Sequence, residues 1–248
     1  MKTLFIGQSH EVLHTVDSTN TYLKQLSKGH NLKEGYLVST KYQTLGRGQF
    51  GNSWKSKNGQ NMLLSVYLSP SWLQPMEFFY LNMSVCLAVL DTVSTYVDGA
   101  VVKWPNDIWF KRKKLAGILI ENQISGRAID QTIVGVGLNV NQVFDETAFT
   151  SIKQLAGKEI SLREVIERFC VSLEKRYQDL KKPFEREALK REYLSKLYGY
   201  KTPVPVYYES KKGYMQITDV GYDGKLHAVS DANEPLEFVF KEVRFLAD

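Results

Sequence analysis

Three β-rich runs follow one another almost without interruption: Val101 to Phe110, Leu115 to Asn122 and Ala128 to Val140. The first two are joined by the basic tetrad Lys111-Arg112-Lys113-Lys114, whose length suits a hairpin, so the runs predict three neighbouring antiparallel strands. The rest of the chain must be arranged around that sheet. Two earlier β-rich runs, Tyr36 to Thr40 and Met62 to Leu68, flank a Gly-, Gln- and Asn-rich stretch from Gln43 to Asn61 that reads as a long loop. Helical spacing predicts a short helix over Ser18 to Lys28, stopped by Gly29. Apolar Met76 to Val97 predicts a buried helix behind the sheet.

Ser161-Leu162-Arg163-Glu164 matches a capping box, and Val165, Ile166, Phe169, Leu173 and Tyr177 then recur at helical spacing until Pro183. The pattern resumes from Phe184 to Tyr198 and ends at Gly199. Beyond Thr202 come short strands, Val204 to Tyr208, Tyr214 to Val220, Leu226 to Ser230 and Phe238 to Phe245, separated by Lys-Gly, Asp-Gly and Asp-Ala-Asn turn chemistry. The expected fold class is α+β. A mixed or antiparallel sheet with packed helices fills residues 1–200, and a small β-barrel fills 201–248.

A chain of 248 residues can bury such a core without disulfides. Its two cysteines, Cys86 and Cys170, lack CxxC spacing, so neither a disulfide framework nor a zinc site is indicated and a reducing, cytoplasmic compartment is expected. No run reaches the roughly 20 apolar residues of a membrane span, and MKTLFIGQSH lacks the apolar core of a signal peptide. The net charge of +5 favours anionic partners without choosing among nucleotides, nucleic acid and acidic proteins.

The densest chemical signal is Gln43-Thr44-Leu45-Gly46-Arg47-Gly48-Gln49-Phe50-Gly51-Asn52-Ser53-Trp54, where glycines expose backbone N–H groups around one guanidinium. Such a loop can wrap an anion, or it can be a surface loop with no ligand. Lys103-Trp104-Pro105-Asn106-Asp107 puts a proline inside a β-rich run, beside groups suited to phosphate and magnesium or to a solvated edge strand. Lys114 is either a solvated turn lysine or a cation entering a strand whose small Ala116 and Gly117 let a ligand approach the backbone. Val134 to Asn141 alternates apolar residues with glycines and ends in amides able to read a purine edge; a β-bulge is the plainer alternative.

In this order, Asp17-Ser18-Thr19-Asn20, the Gly-Arg-Gly loop with Trp54, Lys-Trp-Pro-Asn-Asp, Lys-Leu-Ala-Gly-Ile-Leu and Gly-Val-Gly-Leu-Asn-Val-Asn resemble the biotin protein ligases. The resemblance covers residues 10 to 141 by motif and the remainder by architecture. It implies a class II synthetase-like catalytic domain shared with lipoate ligases, followed by an SH3-like barrel. It also implies an enzyme that joins biotin to a lysine of a biotin carboxyl carrier domain through biotinyl-5′-AMP, using ATP and Mg2+. By the same resemblance Ser18, Thr19, Asn20 and Gln43 bind biotin, with Ser18, Thr19 and Gln43 on its ureido ring. Gly46, Arg47, Gly48 and Gln49 close over biotin and adenylate, and Gly117 and Leu119 line the biotin tail. Trp54 and Asn139 contact the nucleotide, Lys103 and Asn106 stand near its phosphates, Asp107 is the metal ligand and Lys114, with Arg47 and Asp107, is catalytic.

The family pattern has further arginines where this chain has Gln49 and Asn52. Two rivals stand beside this reading: a lipoate ligase, and a nucleic-acid-binding module built on the basic tetrad. Polar Ser18, Thr19 and Gln43 favour biotin over a dithiolane ring. Only seventeen residues precede Ser18, too few for a winged helix, so a monofunctional type is expected, with no DNA and no membrane as partner. A homodimer is left open.

Overall fold

A computed structural model describes residues 1–126, 128–145 and 148–246. Its main sheet has seven strands in the order β1-β2-β3-β7-β6-β5-β4. The first unit is β1 (His10–Val16), α1 (Thr19–Gly29) and β2 (Leu37–Gln43), with β1 and β2 parallel; the other neighbours, from β3 (Met62–Leu68) onward, are antiparallel. The sheet is therefore mixed, as expected. Strand β1 has no counterpart in the sequence reading, because at the sheet edge it carries polar His10, Glu11, His14 and Thr15 and leaves Val12 exposed.

The predicted single strand over Val101 to Phe110 is a hairpin. β4 (Val101–Lys103) turns at Trp104-Pro105-Asn106, with a cis peptide before the proline, and returns as β5 (Asp107–Phe110). Proline cannot donate to a ladder, so the chain reverses where a strand would have needed that N–H. β6 (Lys113–Ser125) and β7 (Ala128–Leu138) complete the antiparallel set, as the short connection predicts.

Side chains alternate across the central strands. β3 and β7 send Leu64, Val66, Val134, Val136 and Leu138 to one face, where they are buried with α2 (Phe78–Ser94) and α4 (Leu162–Leu180). Each such side chain contributes about 1.5–3 kcal/mol when fully buried. Ser161 caps α4, its hydroxyl accepting from the Glu164 N–H as the capping box predicts. Together with the 3-10 turn at Pro75–Glu77, helix α2 makes a stretch, Pro75–Ser94, long and apolar enough to cross a membrane, yet most of it lies inside the fold. The opposite face of the sheet is covered by α1, over Leu23, Val38 and Ile133, and by the loop after β2.

A short α3 (Ile152–Ala156) precedes α4, and α5 (Arg186–Ser195) follows the interruption at Pro183. Residues beyond α5 stitch the chain back to the main sheet: the Val102 N–H donates to the Lys196 carbonyl (2.8 Å) and the Tyr198 N–H to the Val102 carbonyl (2.7 Å). The C-terminal region is a five-stranded antiparallel sheet ordered β11-β10-β9-β8-β12. It comprises β8 (Val204–Tyr208), β9 (Lys211–Val220), β10 (Leu226–Ser230), β11 (Pro235–Phe238) and β12 (Val243–Phe245). The expected strand over Phe238 to Phe245 is thus split by a turn. One continuous hydrophobic core runs through both sheets. The Trp104 indole N–H donates to the Gly224 carbonyl (3.1 Å), and the Phe79 N–H to the Tyr222 carbonyl (3.2 Å).

Candidate active site

On the face of the main sheet opposite α2, register places Asp107, Gly117 and Gly137 in one row across β5, β6 and β7. The glycines leave a trough. A Cβ on Gly137 would come within 2.5 Å of the Trp54 ring, and one on Gly117 within 2.9 Å of it, so both positions must lack side chains for that ring to lie there. The Trp54 indole N–H is buried and makes no hydrogen bond. Around the trough is a cleft of about 1030 Å3, counting its open mouth.

One end of the cleft is a network of buried polar groups. Gln43 Oε1 accepts from the Thr19 N–H (2.8 Å) and the Thr19 hydroxyl (3.0 Å). Ser65 donates its hydroxyl between Thr19 Oγ1 (2.8 Å) and Asn20 Oδ1 (2.5 Å). The Asn20 amide in turn donates to the Leu119 carbonyl (3.2 Å) and to Glu121 (2.9 Å). Buried polar groups left unpaired are costly, so this chain of bonds from Gln43 to Glu121 holds its members in fixed orientations. Ser18 stands at the N-cap of α1, but its hydroxyl makes no capping bond.

At the other end the charge is positive. Lys114 Nζ lies 2.7 Å from Asp107 Oδ1 and 5.6 Å from the centroid of the Trp54 ring, and Lys103 Nζ lies 3.9 Å from Asp107 Oδ2. Burial makes the Lys103 ammonium easier to deprotonate than an ordinary lysine; Asp107 opposes that shift and Lys114 adds to it. Asn106 donates its amide to the Ile118 carbonyl and accepts from the Ile118 N–H at its own carbonyl (3.0 Å), which clamps the turn to β6. Asn82 on α2 supports the same turn through the Pro105 carbonyl (2.8 Å).

Over the cleft lies the loop. Arg47 makes a two-pronged contact with Glu121 (3.1 and 3.2 Å). Burial pushes the Glu121 carboxyl up, but the Asn20 amide, Arg47 and Lys24 together outweigh it and hold the group below the usual carboxylate range.

Of the residues singled out from sequence, Ser18, Thr19, Asn20, Gln43, Arg47, Gly48, Gln49, Trp54, Lys103, Asn106, Asp107, Lys114, Gly117 and Leu119 line this one cleft, as does Asn52. Gly46 lies in the loop beyond its rim, and a Cβ there would collide with the Trp54 carbonyl. Asn139 is buried behind the cleft, its amide 3.4 Å from the Lys114 carbonyl. Sequence reasoning missed the C-terminal residues Phe240, Lys241 and Val243, which also line the cleft, and Ser65 and Glu121, which bond to Asn20 on its wall. Glu121 was within reach: Gly117, Leu119 and Glu121 alternate on the cleft face of β6.

The biotin/lipoate A/B protein ligase family model matches residues 12–139, just over half of the chain. The chain belongs to this family. It is 33% identical over 188 residues to the bifunctional ligase/repressor BirA of Bacillus subtilis, covering 72% of this chain and 57% of that protein. It is 32% identical over 141 residues to the biotin–[acetyl-CoA-carboxylase] ligase of Mycobacterium tuberculosis, covering 55% and 51% of the two chains. The chain thus spans little more than half the length of these curated relatives. In fold it is similar to the biotin protein ligase of Aquifex aeolicus solved in complex with biotin and ATP, with a TM-score of 0.79 at 24% identity over 96% of this chain and all of that one. That likeness covers both sheets, so the family's fold extends here beyond the matched motifs.

Proposed function

We propose that this member of the family activates biotin with ATP as biotinyl-5′-AMP and transfers it to a lysine of a biotin carboxyl carrier domain. One observation carries the proposal: a largely buried polar network and a cationic pole stand at opposite ends of one glycine-floored trough. The polar end (Ser18, Thr19, Asn20, Gln43) suits the ureido ring, whose N–H and carbonyl groups can bond its hydroxyls and amides, whereas a dithiolane ring offers them no hydrogen-bonding group. The trough beside Gly117 and Leu119 takes the aliphatic tail and delivers the carboxylate toward Lys114.

Two anions must then meet. Biotin's carboxylate oxygen attacks the α-phosphorus of ATP and pyrophosphate leaves, so negative charge crowds at the point where Lys114 and Lys103 stand; their ammonium groups offset it most as the phosphorus becomes five-coordinate. Lys114 bridges carboxylate and α-phosphate, Lys103 and Asn106 face the phosphates, and Trp54 covers the joined product and excludes water. In the second step the carrier's amine attacks the carbonyl carbon, AMP departs, and the amine's proton must be lost. Asp107, the one carboxylate lining the cleft among the described residues, is its nearest acceptor.

No group of three ligand-type side chains stands together among the described residues. The donor set therefore fits a Mg2+ that would be held by the single carboxylate of Asp107 and by the nucleotide itself, rather than by a protein cage. Such an ion would supply charge neutralisation on the phosphates. Gly46 and Arg47 act from the loop, and Asn139, buried with its amide at the Lys114 carbonyl, is read as the adenine contact. We read residues 1–200 as the catalytic domain and 201–248 as an SH3-like barrel. The free, buried Cys86 and Cys170 suit a cytoplasmic setting.

The test is biotin-dependent exchange of pyrophosphate into ATP, with lipoate as the control acid, followed by labelling of a carrier domain. Exchange with biotin alone is the expected result; exchange with lipoate alone would overturn the reading.

A further inference from the structure

The C-terminal sheet sends one turn into the cleft. Between β11 and β12, Phe240 and Lys241 reach the cavity that Lys103 and Lys114 also line. The turn is firmly built: the Val239 N–H donates to Glu242 Oε2 (2.8 Å), the Glu242 N–H donates to the Val239 carbonyl (3.2 Å), and the Phe240 ring packs on Trp104 at 5.3 Å and on Phe79 at 6.2 Å. Lys241 sits in the left-handed region at φ +78°, and so does Phe50 of the loop opposite, at φ +55°. Non-glycine residues hold this conformation only where their surroundings impose it. These two face each other, with Lys241 Nζ 4.4 Å from the centroid of the Phe50 ring.

Charge makes Lys241 unlike the other cations of the cleft. Arg47 is paired with Glu121, and Lys103 and Lys114 share the carboxylate of Asp107. Among the described residues, Lys241 lies against a neutral ring, that of Phe50. An ammonium over an exposed phenyl face gains less than the same ammonium on a phosphate oxygen, where the bond is charge-assisted. A polyphosphate entering the cleft therefore meets one cation it can take without breaking an ion pair. We propose that Lys241 is a polyphosphate-binding residue of this site, supplied by the C-terminal sheet and parked on Phe50 until nucleotide arrives. The proposal rests on the ATP-using reading above and adds the residue that would hold the β- and γ-phosphates.

The experiment titrates α,β-methylene-ATP, which cannot pass on its adenylyl group, into the full chain by calorimetry, with and without saturating biotin. Lys241→Ala is expected to weaken the analogue about tenfold and to flatten the salt dependence of its binding, with biotin affinity within twofold of wild type. Lys241→Arg should restore most of the loss. Lys212→Ala, which removes a charge from β9 outside the cleft, should bind as wild type. Unchanged analogue affinity in Lys241→Ala would overturn the proposal, as would an equal loss of biotin affinity or an equal loss in Lys212→Ala. A wild-type chain that binds the analogue through Lys241 but activates no biotin would sink the ligase reading and leave this assignment standing.

Discussion

The floor of the cleft and the loop above it are held by different forces. In the floor, buried Thr19, Asn20 and Ser65 and half-buried Gln43 are bonded in one chain, and Gly135 lets the Asn20 side chain lie against β7. The loop from Thr44 to Lys57 is tied by hydrogen bonds at its two ends, and between them it is held by a half-exposed ion pair, an indole in a trough and contacts of the Phe50 ring with Lys241 and Phe240. Buried circuits resist rearrangement because every broken bond strands a polar group; exposed pairs and ring contacts exchange cheaply for ligand or water. The floor is thus a fixed template, and the loop is a cover that ligand can remake.

The largest expected effect lies in the floor's charge. Lys114→Ala should lower pyrophosphate exchange by about 10²–10³-fold, the size of losing one preorganised electrostatic donor, while the chain keeps its cooperative thermal unfolding. Near-normal exchange would show that the floor carries no catalytic cation.

Two glycines on β7 separate the regions most sharply. Gly135→Ala drives a methyl into the Asn20 side chain and should destabilise the protein by about 1–3 kcal/mol in denaturant unfolding. Gly137→Ala drives its methyl into the Trp54 ring instead and should leave stability nearly unchanged, but open the loop to protease and loosen biotin binding. If both variants lose stability equally, the distinction between template and cover fails.

Ligand should act on one region only. Biotin or adenylate is expected to protect the Thr44 to Lys57 loop from limited proteolysis several-fold, because the loop has few apolar anchors of its own. Equal cleavage with and without biotin would count against a remade cover.

The smallest effect is at Glu121. Glu121→Gln keeps an acceptor for Asn20 and loses the charge facing Arg47, whose side chain is 45% exposed, so the stability change should stay below about 1 kcal/mol. A carboxyl held below its ordinary value of 4.5 contributes fully above that value, and the contribution is lost as pH falls through the folded-state pKa. The difference between wild type and Glu121→Gln should therefore be flat over about pH 5–8 and shrink below 4.5, read from denaturant midpoints. A difference that grows in acid would contradict the Arg47 contact.

Sequence reached the motif segments better than the residues between and beyond them, such as Ser65, Glu121 and Lys241. Asp17-Ser18-Thr19-Asn20 and Lys-Trp-Pro-Asn-Asp stand at element junctions, where residue type and position are tightly coupled, and the capping box at Ser161 is local physics throughout. Strand β1 was illegible because a polar edge strand has no apolar alternation to show. Lys241 was illegible for a different reason. Its turn has no glycine or proline, and its partner Phe50 is almost two hundred residues away, so nothing local distinguishes it from any surface lysine. The break at Pro105 was in plain view, since a proline that a strand cannot tolerate is a turn signal.

Val102 is bonded on both sides to the segment that leads into the C-terminal sheet, and Trp104, at the turn that carries Asp107, is bonded to Gly224 within that sheet. A protein engineer who cut this chain near Lys201 would not detach a module; the cut would remove Gly224 and Tyr222, the partners of the Trp104 indole and the Phe79 N–H, and leave both rings facing water. The C-terminal sheet of a relative could be grafted only together with its half of that seam, and the two regions should melt in a single transition. Substitutions in the small sheet can then alter the chemistry of the large one without touching any residue of its motifs.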